Sequence, residues 1–147
     1  MELTQEQIET ALQERAQRNR FAVASRIFLE SVERDRAVMR HTVCEESCNP
    51  FGTVHGGLLF TMADCAAGTA IHTDGRTYVT LNSSMNFIAN VQPGTTVRAI
   101  AQVRHRGRST CQADVNVISE AGTLLCTGQF TFFCLGDRME GTASSGR

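Results

Sequence analysis

Asp64 is the only acidic or basic side chain between Gly56 and Ile71, the most apolar stretch of the chain. A carboxylate in such surroundings is unfavourable unless it is paired, hydrogen-bonded or protonated. An acid kept there is a candidate for function. The competing reading is a structural acid on the helix surface that faces solvent or caps a neighbouring loop. The stretch begins with His55, Gly56 and Gly57. Two consecutive glycines at a helix start let another molecule approach the backbone closely. The N–H groups of a first helical turn have no intrahelical acceptor, and the helix dipole adds positive potential there. Such a turn can hold an oxygen that gains negative charge during a reaction. The glycines serve equally to permit a tight turn, and His55 to hydrogen-bond its own loop. Asn49 before Pro50 is also an ordinary turn residue, and Thr80 an ordinary strand former.

These side chains need elements to hold them. Leu, Met and Ala favour a helix, and the run 56–71 is apolar nearly all round, so it predicts a buried helix that stops near Thr73-Asp74-Gly75. Thr4 to Gln7 forms a possible capping box, and Ile8, Ala11 and Leu12 follow at helical spacing, predicting an amphipathic helix over 5–18. Residues 21–27 suit a second short helix. Residues 28–32 and 37–43 predict strands on either side of the charged turn 33–36, and a loop over 45–55 leads to the buried helix. Four further strands are predicted over 77–87, 95–105, 110–119 and 124–135. Val97, Ala99, Ala101 and Val103 alternate with polar or larger neighbours, as do Ala113, Val115 and Val117. That period of two marks antiparallel strands with one buried face. The sum is an α+β domain in which a six-stranded antiparallel sheet wraps around one long buried helix, with an extra N-terminal helix. The boundaries predicted are an N-terminal helical extension over 1–20, a domain over 21–136 and a flexible tail over 137–147.

A chain of 147 residues with a formal net charge of −1 fits one domain and gives no electrostatic reason to expect nucleic acid. No secretory signal is visible and the apolar run is too short for a bilayer span, so a cytoplasmic location is expected and no membrane association. Of the 6 cysteines, only Cys44 and Cys48, with His41 and His55 near them in sequence, could form a metal cluster. Their spacing matches no standard zinc site, and neither a metal nor a cofactor is expected.

The ordered set Asn49-Pro50-Phe51-Gly52-Thr53-Val54-His55-Gly56-Gly57, then Asp64 on the helix and Thr80 on the next strand, resembles the PaaI-like family of hotdog-fold acyl-CoA thioesterases. The resemblance covers most of residues 21–136. It implies hydrolysis of a small or medium acyl-CoA or aryl-CoA to free acid and CoA. It implies the Gly56 N–H, helped by His55, as oxyanion donor, with Gly57 beside the substrate. Asn49 would orient the attacking water or the thioester, Asp64 would act as general base or nucleophile, and Thr80 would hold the water or the carboxylate. In the family a basic residue after the turn glycine of a hairpin often meets CoA phosphates. Here that hairpin tip carries Arg106, Arg108 and Ser109, with a solvated tip as the plainer reading. Asn82 stands where relatives often carry Asp, and Ile88-Ala89-Asn90 where they often carry Arg-Pro, departures that bear on the substrate more than on the reaction. A hydroxyacyl dehydratase and a non-catalytic acyl-CoA-binding module are the competing readings. His-Gly-Gly fits the first poorly, and Asp64 argues against the second.

Asp64 lies eight residues beyond Gly56, a rise of about 12 Å along a helix. A short carboxylate cannot reach back over that gap. If both groups act on one carbonyl, a second copy of the chain must bring them together. A homo-oligomer, dimer or dimer of dimers, with sites at the subunit interface is therefore expected, in agreement with the family's edge-to-edge dimer. Ala66, Ala67, Gly68 and Ala70 would suit close approach of the partner's helix.

Overall fold

The computed structural model describes residues 2–136; the tail predicted over 137–147 lies outside them. Helix α1 spans Gln5–Arg18, and its capping box is formed: Thr4 Oγ1 accepts from the Gln7 N–H, and the Gln7 side chain accepts from the Thr4 N–H. Helix α2, Arg20–Ala24, is capped by the Asn19 side chain and is followed by Arg26 in a left-handed conformation, φ 56°. That turn shortens the helix expected over 21–27. Strands β1, Phe28–Glu33, and β2, Arg36–Thr42, form a tighter hairpin than predicted. Asp35 takes φ 64° at the turn, so Glu33 and Arg36 pair instead of looping out.

Helix α3 runs Gly56–Ile71. It is followed by β3 (Thr77–Phe87), β4 (Thr96–Arg106), β5 (Thr110–Ser119) and β6 (Leu124–Gly136). All strands pair antiparallel in one six-stranded sheet of order β1-β2-β4-β5-β6-β3. The sheet curls around α3, which packs mainly on β2, β4 and β5. Val97, Ala99 and Ala101 on β4 and Ala113, Val115 and Val117 on β5 all point into this core, as their period of two requires.

Helix α3 departs from expectation in one respect. It is fully buried along one face only, formed by Leu59, Met62, Ala63, Ala66, Ala67, Ala70 and Ile71. The small alanines let the concave sheet approach the helix closely, so Ala66, Ala67 and Ala70 are consumed by the chain's own core. They are not free to receive a partner's helix. Gly68 is half-buried, and a Cβ there would be in ordinary contact with the Phe132 ring at 3.4 Å. The opposite face of α3 carries Asp64, Cys65 and Thr69, all half-buried. Helix α1 lies along that side. Its Ile8 and Leu12 are buried, and it packs on β1 and on the turn His72–Asp74.

Candidate active site

The Asp64 carboxylate accepts a hydrogen bond from Thr80 Oγ1 at 2.8 Å. Thr80 reaches it because β3 returns alongside α3 after the left-handed turn at Gly75, φ 83°. Burial pushes the Asp64 pKa up, and the Thr80 bond offsets that only in part. A raised carboxylate is a better proton acceptor than an ordinary one. Cys65, beside it, is no rival nucleophile: burial first, then the Asp64 charge, push its thiol up to about 11. Asp64 and Thr80 line a cavity of about 1570 Å³ between α3, α1 and β3.

The other predicted groups sit elsewhere on the chain. His55 is the N-cap of α3, and its Nδ1 accepts from the Gly57 N–H at 2.8 Å. With Nδ1 as the acceptor, Nε2 is the ring nitrogen that can donate, and it has no partner among the described residues. It also explains the second glycine, because a Cβ at Gly57 would stand 2.9 Å from His55 Nδ1. With Gly57 N–H taken up, the Gly56 N–H is the one left without an acceptor among the described residues. A Cβ at Gly56 would lie 3.2 Å from the Phe87 ring, which leans over this turn. Asn49 organises the loop in front. Its Oδ1 accepts from the N–H groups of Phe51 (3.0 Å) and Thr53 (3.3 Å), and its Nδ2 donates to Thr53 Oγ1 (3.1 Å). His55 and Gly57 line a second, smaller cavity whose walls include neither Asp64 nor Thr80, and none of Asn49, His55, Gly56 and Gly57 lines the first. One chain therefore pairs Asp64 with Thr80, and His55 with Gly57, but does not join the two pairs.

Arg106 is not available to a ligand. Its side chain is 16% exposed, and it donates to Asp35 Oδ1 (2.8 Å), to the carbonyls of Ile71 (2.9 Å) and Ala70 (3.2 Å), and to Thr73 Oγ1 (3.2 Å). It also lies 2.9 Å from Asp74 Oδ2. A guanidinium at the last carbonyls of α3 satisfies groups that the helix leaves open and complements its dipole. Arg76, which sequence reasoning passed over, helps it: it pairs with Asp74 at 2.8 Å and donates to the carbonyls of Gly107 and Arg108. Tyr78 closes the cluster with a 2.6 Å bond to Asp74. Of the three tip residues expected near CoA, only Arg108 and Ser109 are exposed. Nothing in the sequence around Arg106 foretells this, because its partners lie over 30 residues earlier. Removing one partner of such a nearly buried ion pair leaves the others uncompensated. Arg106→Ala is expected to destabilise the fold by about 3 kcal/mol, read as a lowered Tm; an unchanged melting curve would contradict this structural role.

Among the described residues, no group of three or more metal-capable side chains is present, and no helix is long and apolar enough to cross a membrane.

Three comparisons place the chain among known proteins. The pattern of the Thioesterase superfamily matches residues 51–126. The acyl-coenzyme A thioesterase PaaI of Escherichia coli is 32% identical over 99 residues, 67% of this chain and 71% of that protein. A 1,4-dihydroxy-2-naphthoyl-CoA hydrolase of Listeria monocytogenes is 34% identical over 109 residues, 71% of this chain and 87% of that protein. The solved structure of the E. coli PaaI protein superposes with a TM-score of 0.82 at 25% identity, covering 89% of this chain and 98% of that one.

Proposed function

The chain belongs to the thioesterase superfamily, in its PaaI-like hotdog branch, and from that premise we propose that it hydrolyses acyl-CoA thioesters to a free acid and CoA. The observation that carries the reading is the Asp64 carboxylate, raised in pKa and held by Thr80 at the wall of a large cavity. Asp64 either takes the proton of a water that attacks the thioester carbonyl or attacks that carbon itself. The carbonyl oxygen, turning into an oxyanion, is received by the free N–H of Gly56 and by His55 Nε2. Collapse of the intermediate breaks the carbon–sulfur bond and releases the CoA thiol. Asn49 acts through the loop it organises, holding Gly56 in place, and Gly57 acts through its bond to His55.

The two halves of this machinery meet across a dimer. β3 is an edge strand with only β6 as neighbour, and it is 11 residues long. Val79, Leu81 and Phe87 on it and Ile88 just past it are exposed apolar side chains. Soluble proteins rarely leave so long and apolar an edge uncovered. A second copy paired there would stand beside Thr80 and Asp64, and could bring its own Gly56 to them. The acyl-CoA substrate and a homo-oligomer are thus the expected partners.

Release of free thiol from a panel of aliphatic and aryl acyl-CoAs tests the activity. Enzyme-dependent release from at least one member is expected, and none from any would overturn the proposal. The same assay examines Arg108 and Ser109 as contacts to the CoA nucleotide. Arg108→Ala is expected to raise KM severalfold with kcat unchanged, the sign of lost uniform binding. A pantetheine thioester, which lacks the nucleotide, should not respond. An unchanged KM for acyl-CoA would leave Arg108 as a solvated tip residue.

A further inference from the structure

The cavity at Asp64 continues well past the carboxylate. Asp64, Gly68 and His72 recur at four-residue intervals along α3 and its C-cap, and all three line it. Two turns of helix give it a length of about 12 Å. Helix α1 forms the facing wall through Leu12, Arg15 and Asn19, which also share one face. The register of the two helices follows from their contacts. Asn19 lies against Cys65, with its amide 3.9 Å from the thiol, and Ile8 lies against Gly75. Arg15 therefore stands one turn from Asn19 toward the His72 end, and its charge acts on His72.

Arg15 and Arg18 differ from seven other arginines of this protein. Arg26, Arg34, Arg36, Arg76, Arg98, Arg104 and Arg106 all pair with carboxylates. Arg15 and Arg18 have no such partner among the described residues, yet both line the cavity. Arg15 is exposed at the cavity wall, and partial desolvation with the Arg18 charge holds its pKa below the ordinary arginine value, though it stays cationic. His72 adds no charge, because burial lowers it to about 4 and its two nitrogens are engaged with Gly68 and Tyr78. Glu14 also lines the cavity, so with Asp64 at the opposite end two carboxylates face two cations. The cavity lining also includes the apolar Leu12, Ile27, Leu29, Met39 and Phe132.

We propose that this cavity takes an acyl group that ends in a carboxylate, with the thioester at Asp64, the methylene chain along the apolar wall and the terminal carboxylate on Arg15. The proposal rests on the thioesterase reading and adds a substrate class to it. A guanidinium at the cavity wall with no carboxylate partner among the described residues is suited to a carboxylate through two parallel hydrogen bonds. The spacing suits a dicarboxylic acyl chain of short to medium length.

The test compares octanedioyl-CoA with octanoyl-CoA, and hexanedioyl-CoA with hexanoyl-CoA, on the wild-type protein and on Arg15→Gln. Wild type is expected to favour the carboxylate-ended member of a pair by roughly tenfold or more in kcat/KM, through KM. Arg15→Gln should erase that preference and leave the neutral acyl-CoAs unchanged, and Arg15→Lys should restore part of it. No preference in wild type would overturn the proposal. An equal rise in KM for both members would also overturn it, since Arg15 would then be serving the CoA phosphates. Binding of free octanedioate, followed by calorimetry, separates the two readings. Binding to wild type but not to Arg15→Gln, without hydrolysis of any acyl-CoA, would leave the anion site standing and the thioesterase reading fallen. No octanedioate binding and no hydrolysis would remove both.

Discussion

Asp64→Asn is expected to lower kcat by about a hundredfold or more, the usual loss when a general base is removed, while fold and oligomeric state persist. Asn is nearly isosteric and its carbonyl can still accept from Thr80 Oγ1, so the 2.8 Å contact need not be lost. What disappears is the charge and the ability to take a proton. The pH profile supplies an independent signature. Burial raises the Asp64 pKa, so the acidic limb of kcat/KM should have its midpoint above the ordinary carboxylate range. Activity should rise with pH along that limb as Asp64 ionises. Stability should move the other way. A folded-state pKa above the unfolded value means that the folded chain holds the proton more tightly. Ionisation of Asp64 is then a penalty, absent below the unfolded carboxylate pKa and complete once pH exceeds the folded one. The amide of the Asp64→Asn variant cannot ionise. The variant should therefore melt at or above the wild-type Tm at neutral pH, with the difference fading toward acid. A variant with near-wild-type turnover would sink the assignment of Asp64. A variant that has lost activity only because it melts lower would sink it equally.

The elements of this protein were legible where local signals set them. Helix α3 begins at a glycine pair and ends before Asp74-Gly75, and both are backbone events that a sequence displays. The strands of the second half were legible because Val97 to Ala101 and Ala113 to Val117 alternate without interruption. Asp64 and Thr80 were legible as a pair through the resemblance, and they lie in hydrogen-bond contact. The losses have a common cause. Arg106 looked like a hairpin-tip cation because it lies in the densest basic patch of the chain, with Arg104, His105 and Arg108 around a turn glycine. Its partners Asp35, Ala70, Ile71 and Asp74 come from two distant segments that the curl of the sheet brings to the end of α3. The alanines of α3 were read as a surface for a second helix because small residues suit any close packing. Composition does not say whether the close neighbour is a partner's helix or the chain's own sheet, and here it is the sheet. Residue type signals the kind of contact, whereas the fold decides with whom it is made.

Mixing two inactive variants under conditions of subunit exchange is expected to restore about a quarter of wild-type activity, as the two-fold symmetry of an isologous dimer requires. The pair is Asn49→Ala, which loosens the loop that leads to Gly56, and Asp64→Ala. Asn49 holds that loop through Phe51 and Thr53, so its loss should act on the oxyanion half of the site alone. If each site takes its loop from one chain and Asp64 from the other, a mixed dimer has one intact site and one site with both lesions. Random exchange at equal amounts makes half of the dimers mixed, and half of their sites intact. The separation of the Asp64 cavity from the one lined by His55 and Gly57 motivates the experiment, as does the exposed β3 edge beside Thr80. Should Asn49→Ala keep activity, Gly56→Leu takes its place, because a side chain at Gly56 runs into Phe87 and blocks approach to the backbone. Sites built within one chain would all keep a lesion, and mixing would then recover nothing. No recovery, with exchange shown independently by mass spectrometry of differently labelled chains, would mean that Gly56 and Asp64 do not act on the same carbonyl across a dimer.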